Sequence, residues 1–389
     1  MPMEYAGLGT RVLMGPGTVD RVADEVRALG GSRVMLLTGR HTGQSRLVAR
    51  AKAALGPLLV DVYDEVVDHS GTHLVATAAR RAREQRIDLL LAIGGGSPSD
   101  TAKAVAILLA EGEPLEKHAN RFTPPDKLIQ QQLNQPKLPI ISIPTTASAG
   151  EVTPGLGIRD EHGHKLLFWD LKVASRTIIL DPEANTEIPV SIMAGSGMNG
   201  LAHCVEGLYS KKRNPVADAF AQQGIRLLSR GLRAAVKDPH SVEARADVLY
   251  GAYVSGLTIA STRTCLHHGI CHCLGALGGL SHATANSIML PHAMRFNKRA
   301  AADRLRLVAQ AMGVPVEGLS DDAAADKAVD AVVQLQKDIG VPMRLRDTTL
   351  KREMLSAVAD HAMGDRALYF NPGPTPTPAE VLGVLEAAW

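Results

Sequence analysis

Two short stretches of this chain carry most of its conspicuous chemistry. Asn199 and His203 lie four residues apart, and the segment from Thr264 to His292 holds His267, His268, His272, His282 and His292. On a helix, residues four apart share a face, so Asn199 with His203 and His268 with His272 each aim at a common point. Imidazoles converging from two helices suit a metal centre or a proton-transfer site. As mere packing residues, so many polar rings would each need a buried partner. The four cysteines, Cys204, Cys265, Cys271 and Cys273, sit beside these histidines without the spacing of a disulfide framework. They read as reduced thiols of a cytoplasmic protein.

A second chemistry lies nearer the N-terminus, where Gly94-Gly95-Gly96-Ser97-Pro98-Ser99-Asp100 follows the apolar run Ile87 to Ile93 and opens a helix around Thr101 to Ala110. Glycines let a ligand approach the backbone, and a helix N-terminus offers unpaired N–H groups to a pyrophosphate. A tight strand-to-helix turn is the plainer alternative. Pro144-Thr145-Thr146-Ala147-Ser148 also follows an apolar run. Two such loops meeting at the carboxyl edge of a parallel sheet make a dinucleotide site, with Gly95, Gly96, Ser97, Asp100, Thr145 and Thr146 as its candidates.

Positioning these groups requires a sheet and a helical layer, and the pattern supplies both. Arg33–Thr38, Pro57–Val62, Ile87–Ile93, Leu138–Ile143 and Thr177–Leu180 read as strands, with a helix over Leu74–Gln85. That alternation predicts a parallel sheet covered by helices. Asn120 to Pro136, polar and bearing Gln and Pro, reads as a surface loop. From Asp181 the apolar residues recur at helical spacing, as in Val216–Ala235 and Ala323–Ile339, and Thr377-Pro378 opens a capped final helix. The expected organisation is a Rossmann-like α/β nucleotide domain over residues 1–180 and an all-α domain over 181–389 carrying the histidines.

Composition narrows the partners. The 389 residues are 45% apolar and 21% charged, and 42 basic against 40 acidic residues leave a net charge of +2 without long charge runs. Such a surface gives no electrostatic case for nucleic acid or an anionic membrane. No apolar run reaches the roughly 20 residues that span a bilayer. A small-molecule partner is therefore expected.

Four segments give the chain a resemblance to the iron-dependent alcohol dehydrogenase superfamily, related in fold to dehydroquinate synthase and glycerol dehydrogenase: GGGSPSDTAKA from Gly94, IPTTASAGEVT from Ile143, SGMNGLAHCVEG from Ser196, and HHGICHCLGALGGLSHATANSIMLPHAMRFN from His267. The resemblance implies a dehydroquinate synthase-like fold, a homodimer, and an active site in the cleft between the two domains. Members with a metal hold iron or zinc on an Asp and three His, positions that fall here on Asn199, His203, His268 and His282. A neutral amide is a weaker ligand than a carboxylate, so Asn199 implies reduced metal affinity. Lys165, otherwise a surface lysine, matches the superfamily's lysine on the cofactor side. The first-strand turn Thr38-Gly39-Arg40 places Gly39 where an acidic residue would bind the adenosine ribose and repel a 2′-phosphate. NADH and NADPH should both be accepted, with Arg40 either favouring the phosphate or pointing to solvent.

Within the superfamily the chain resembles the maleylacetate reductases more closely. They carry Asn where the dehydrogenases carry the ligand Asp; they share the LHHxxCHxLG run at Leu266–Gly275 and the shorter Thr146–Glu151 spacing; and they place a histidine at the position of His69. Asn371-Pro372 and the last helix ending at Trp389 also fit. Departures are the GGGSPSD loop, Gly269 where a lysine is common, Asn286 where a histidine is common, and Arg263-Thr264. The implied activity is NAD(P)H-dependent reduction of a small oxo or enoate dicarboxylic acid, as maleylacetate to 3-oxoadipate in aromatic catabolism. His272 would donate the proton, with Asn199, His203, His268 and His282 lining the substrate pocket. Arg263 would hold a substrate carboxylate or make a salt bridge with a neighbour. A metal-dependent alcohol or aldehyde dehydrogenase is the second reading. A dehydroquinate synthase-like lyase, or a nucleotide-binding protein without catalysis, is the third.

Overall fold

A computed structural model describes residues 7–68, 70–125 and 127–389. His69 therefore lies outside the described residues. Two compact units form, one from described residues up to Arg121 together with Leu128–Ile188, the other from Phe122–Pro125, Lys127 and Pro189–Trp389.

The first unit is built on strands β1 (Arg11–Met14), β2 (Val34–Gly39), β3 (Leu59–Val66) and β4 (Leu89–Gly94). After two short strands, β5 (Arg121–Thr123) and β6 (Lys127–Ile129), come β7 (Ile140–Pro144), β8 (Gly155–Arg159), β9 (Lys165–Trp169) and β10 (Thr177–Leu180). Six of them form one parallel sheet in the order β1-β10-β7-β4-β2-β3. Helices α1 (Val22–Ala28), α2 (Arg46–Leu55), α3 (Thr72–Glu84), α4 (Gly96–Glu111) and the short α5 (Pro182–Asn185) complete the unit.

Strands β2 and β4 are apolar throughout because both faces are covered. Val34, Leu36, Leu89, Leu91 and Ile93 pack with Val26 and Val48 of α1 and α2. Met35, Leu37, Leu90 and Ala92 pack on the opposite face with Val75 of α3 and Val105 of α4. The chain runs from β2 outward to β3 and then returns to place β4 on the other side of β2, so the strand order reverses there. The carboxyl ends of β2 and β4 flank that switch point, where open α/β sheets bind ligands.

The loop expected over Asn120 to Pro136 is only partly a loop: β5 and β6 pair within it as a two-stranded ribbon. Asn120 N–H donates to the Leu167 carbonyl at 2.8 Å, and its side-chain oxygen accepts from Gln131 N–H at 3.0 Å. Three-residue strands show no alternation for a pattern to reveal. β1 and the β8–β9 antiparallel hairpin are likewise too short to stand out.

The second unit is helical: α6 (Val190–Tyr209), α7 (Pro215–Lys237), α8 (Val242–Ser261), α9 (Leu266–Gly278), α10 (His282–Ala311), α11 (Asp321–Ile339), α12 (Leu355–Ala362) and α13 (Pro378–Ala387). Leu266, Ile270 and Leu274 of α9 pack with Ile288 of α10, Val358 of α12 and Leu385 of α13. The last helix starts on a capping box in which Thr377 and Glu380 each bond the other's backbone N–H. No helix among the described residues is long and apolar enough to cross a membrane.

Candidate functional site: a glycine-lined sheet edge and a histidine cluster

At the carboxyl edge of the sheet, β4 ends on Gly94 at φ 146° and α4 begins at Gly96 with Gly95 as its N-cap. No side chain caps that helix start. A helix N-terminus of this kind presents N–H groups to an anion. Thr145 N–H donates to the Gly94 carbonyl at 2.8 Å and binds the second predicted loop to the first. Contact is close enough that a Cβ on Gly150 would lie 3.2 Å from the Gly96 Cα, and one on Gly95 3.3 Å from Thr146. Ser99 Oγ, buried in the first turn of α4, has no hydrogen-bond partner. At the neighbouring strand end, Gly39 closes β2, Thr38 Oγ1 is buried and unpartnered, and Arg40 is exposed. Backbone N–H groups, small residues and unsatisfied hydroxyls on two loops fit a dinucleotide pyrophosphate.

Asp100 and Lys165 fall elsewhere than on that glycine turn. Asp100 accepts from Gly157 N–H of β8 at 3.0 Å, and burial raises its pKa against the pull of Lys103. Lys165, exposed on β9, lies over Gly157, where a Cβ would come 2.5 Å from its Cε. Lys103 escaped the sequence reading. It is fully buried and donates from Nζ to the carbonyls of Gly150, Thr153 and Gly155, fastening the Thr145–Gly155 loop to α4. The available signal was a single charge inside the apolar helix TAKAVAILLA. Burial depresses the pKa of Lys103, opposed by Asp100 and Glu151.

In the helical unit, α6 carries Asn199, His203 and Glu206 on one face; α9 carries His267, His268 and His272; and His282 opens α10. The rings come together. His203 stacks on His268 at 4.8 Å between centroids, His272 stacks on His282 at 5.8 Å, and His268 lies 5.7 Å from His282. His292 makes no ring contact with this group among the described residues, and burial with Arg295 nearby pushes its pKa down to about 4.

Glu206 is the organising residue that sequence reasoning missed. Its carboxylate is fully buried, bonds His268 Nδ1, and accepts from the N–H groups of Cys265 at 2.9 Å and His268 at 3.4 Å. Burial opposes its ionisation, but His268 and His267 outweigh burial and hold its pKa well below the usual carboxylate range. His268 is driven down to about 4 by burial, with Glu206 opposing. Burial, reinforced by His268, also lowers His203. His267 is pinned behind the cluster, with Nε2 bonded to the Asn286 carbonyl at 3.0 Å. Asn286 turns its own amide back to the His282 carbonyl at 2.7 Å.

With its Nδ1 hydrogen given to Glu206, neutral His268 carries its lone pair on Nε2, and the Asn199 side-chain oxygen lies 3.1 Å from that atom. An aspartate here would set two acceptors face to face and require a cation between them. An amide needs only a half-turn to present its NH₂. Donor geometry points the same way. Metal-bound nitrogens sit about 2.0–2.1 Å from zinc, hence roughly 3.4 Å apart in a tetrahedron. Yet among the described residues, three potential ligands whose donor atoms all lie within 4.8 Å of one another are Glu206, His267 and His268. Glu206, His267 and His268 are already committed to one another and to backbone groups. Asn199 offers a neutral amide where a carboxylate would be the anionic ligand of a four-ligand centre.

His272 differs from its neighbours. Its side chain is 29% exposed, and Nδ1 lies 2.7 Å from Asp365 Oδ2. Arg263 lies in the connection between α8 and α9, where its Nη1 donates to the Thr262 carbonyl at 2.6 Å. Burial and the guanidinium of Arg366 lower its pKa. All four cysteines are free and buried.

Residues 9–182 match the family model for iron-containing alcohol dehydrogenase, and 193–389 match the model for the C-terminal part of the Fe-containing alcohol dehydrogenase family. A maleylacetate reductase of Burkholderia cepacia is 31% identical over 370 residues, 95% of this chain and 92% of that one. A lactaldehyde reductase of Escherichia coli (strain K12) is 31% identical over 379 residues, covering 96% and 97%. The crystal structure of a 1,3-propanediol oxidoreductase superposes with a TM-score of 0.91 at 29% identity, over 97% of this chain and 98% of that one. Enzymes of this family use NADH or NADPH and typically a divalent metal ion. The chain belongs to the iron-containing alcohol dehydrogenase family, in its maleylacetate reductase-like branch, and is an oxidoreductase.

Proposed function

We propose that this chain is a metal-independent, NAD(P)H-dependent reductase of a small oxo or enoate dicarboxylic acid, converting maleylacetate or a close analogue to the 3-oxoadipate type of product. The observation that carries this reading is Asn199 beside His268 Nε2, where a neutral amide serves in place of the carboxylate that would call for an ion. Relatives named maleylacetate reductase in Burkholderia cepacia and Rhodococcus opacus support the substrate class.

Gly95, Gly96 and Ser97 at the start of α4, with Thr145 and Thr146, would hold the pyrophosphate; Gly39 would lie by the adenosine ribose, and Asp100 and Lys165 would brace the hairpin beside it. When bound, the nicotinamide supplies the hydride that reduces the carbon–carbon double bond. The helical unit does the rest. Arg263 binds a substrate carboxylate through its guanidinium. His203, His268, His282 and Asn199 line a polar pocket in which His203 and His268 are held neutral, able to orient the substrate's oxygens. His272, the half-exposed ring, delivers a proton from Nε2 to the enolate carbon left by hydride addition, which completes addition of H⁻ and H⁺ across the bond. With no carboxylate at Gly39 and Arg40 exposed beside it, NADPH should serve as well as NADH. A cytoplasmic homodimer goes with this reading, and four buried free thiols suit a reducing compartment.

One observation favours the metal-dependent alcohol or aldehyde dehydrogenase instead: His203 Nδ1 is buried without a partner. The deciding experiment measures NADH and NADPH oxidation with maleylacetate before and after chelator treatment. Turnover that survives stripping is expected. Turnover that vanishes and returns only with iron or zinc, or that is confined to simple aldehydes, would establish the dehydrogenase.

A further inference from the structure

A contact of the histidine cluster that none of the chemistry above requires is between His272 and Asp365. Asp365 lies between α12 and a short 3₁₀ turn, Arg366–Phe370, that packs along α9. Both of its carboxylate oxygens have assigned donors: Oδ2 takes His272 Nδ1 at 2.7 Å and Oδ1 takes Ala367 N–H at 2.8 Å. The turn is anchored in its own right, since Tyr369 Oη donates to the Met363 carbonyl at 3.0 Å and the Phe370 carbonyl accepts from Lys211 N–H at 2.9 Å. It packs its Leu368 side chain against α9 where residue 269 is glycine. A Cβ there would stand 2.2 Å from Leu368 Cδ1. Stacking on His282 within 13° of parallel fixes the plane of the His272 ring. Nδ1 turned to Asp365 leaves Nε2 on the opposite side of the ring, where it has no hydrogen-bond partner among the described residues.

We propose that Asp365 is a positioning residue for the proton donor: by accepting the Nδ1 hydrogen it fixes the tautomer and orientation of His272, so that the mobile proton is the one on Nε2. This rests on the reading of His272 as that donor. In the step, the Nε2–H bond of the imidazolium breaks and a C–H bond forms at the enolate carbon. The ring is left as the neutral Nδ1–H tautomer, still bonded to an ionised Asp365, and Nε2 is reprotonated from solvent. Asp365 takes no proton at any stage; its work is to hold the ring and its tautomer.

Two measurements test it on the full chain. Ring ¹⁵N NMR of histidine-labelled protein should show His272 with its hydrogen on Nδ1, and Asp365→Ala should move it to Nε2; an unchanged tautomer overturns the proposal and needs no substrate. In NADH oxidation with maleylacetate, Asp365→Ala should lower kcat on the order of 10²-fold while KM stays within about threefold and NADH affinity is unaltered. His272→Ala should fall at least as far, and adding Asp365→Ala to it should cost nothing more. Independent, multiplying losses would show a structural ion pair and refute the inference while leaving His272 as the donor. A His272→Ala enzyme as active as the original would instead refute the donor reading itself. Asp365→Asn keeps only one acceptor oxygen: with that oxygen on Ala367 N–H, its NH₂ faces Nδ1 and should likewise move the ring hydrogen to Nε2. It keeps the tautomer testable if the alanine variant fails to fold.

Discussion

Replacing Asn199 by Asp tests the argument about the amide most directly. Asn199 is 3% exposed and its oxygen lies 3.1 Å from His268 Nε2, with the ionised Glu206 on the other side of the same ring. A carboxylate in that place meets a lone pair. It must stay protonated or find a cation. Keeping a group of ordinary pKa about 3.9 neutral at pH 7 costs about 4 kcal/mol, from 1.36 kcal/mol for each of roughly three pH units. Outright burial of an uncompensated charge costs a similar 3–5 kcal/mol. For a unit of about 200 residues, each kcal/mol moves Tm by about 2–4 °C. Asn199→Asp should therefore melt about 8–16 °C below the unmodified protein at pH 7. The sign of the pH dependence follows: the raised folded-state pKa makes the deficit shrink as pH falls, to about 1.5 kcal/mol at pH 5. Zinc or iron offered at about a hundred times its Kd should return about 2.7 kcal/mol to the variant and almost nothing to the unmodified protein. Differential scanning calorimetry at both pH values, with and without metal, reads all of this. A variant as stable as the parent, or a parent that gains as much from metal as the variant does, would refute the reasoning.

Three further outcomes follow from the same structure. Lys103→Met strips three backbone carbonyls of their donor in a buried site; NADH affinity, read by fluorescence titration, should drop at least about tenfold as the Thr145–Gly155 loop loosens, with a stability loss of about 3–5 kcal/mol. Arg40→Ala should raise KM for NADPH by about 10- to 100-fold and leave that for NADH unchanged, since a charge-assisted contact to a 2′-phosphate is worth about 1.5–3 kcal/mol; equal effects on both cofactors would mean that Arg40 points away from the ribose. Stability to urea should fall as pH drops below 6.5, because an unfolded histidine takes its proton there whereas His268 does so only near pH 4 and His203 is also depressed. The lowered pKa of Glu206 adds to the loss below about pH 4.5.

The sheet was legible wherever strands are buried on both faces, since runs such as LLLAI in β4 leave little else to be. Strands of three to five residues, β1, β5 and β6 and the β8–β9 hairpin, carry too few positions to show a period, and the hairpin is held partly by Asp100 reaching from α4. Histidine density marked the cluster because imidazole in quantity is rare in cores. What escaped were the carboxylates that give those imidazoles their states. Glu206 was within reach of the pattern, seven residues beyond Asn199 and three beyond His203 on the same helical face, yet glutamate on a helix is so ordinary that its type says nothing about burial. Asp365 was out of reach altogether. It lies 93 residues from His272 in sequence, in a connection without periodicity, beside a turn that sets Leu368 against Gly269 of α9. A bulkier residue at 269 would require the Leu368 side chain to move. The glycine that departs from the reductase pattern and the aspartate that no pattern marked both meet that turn, and only packing between distant segments makes their neighbourhood visible.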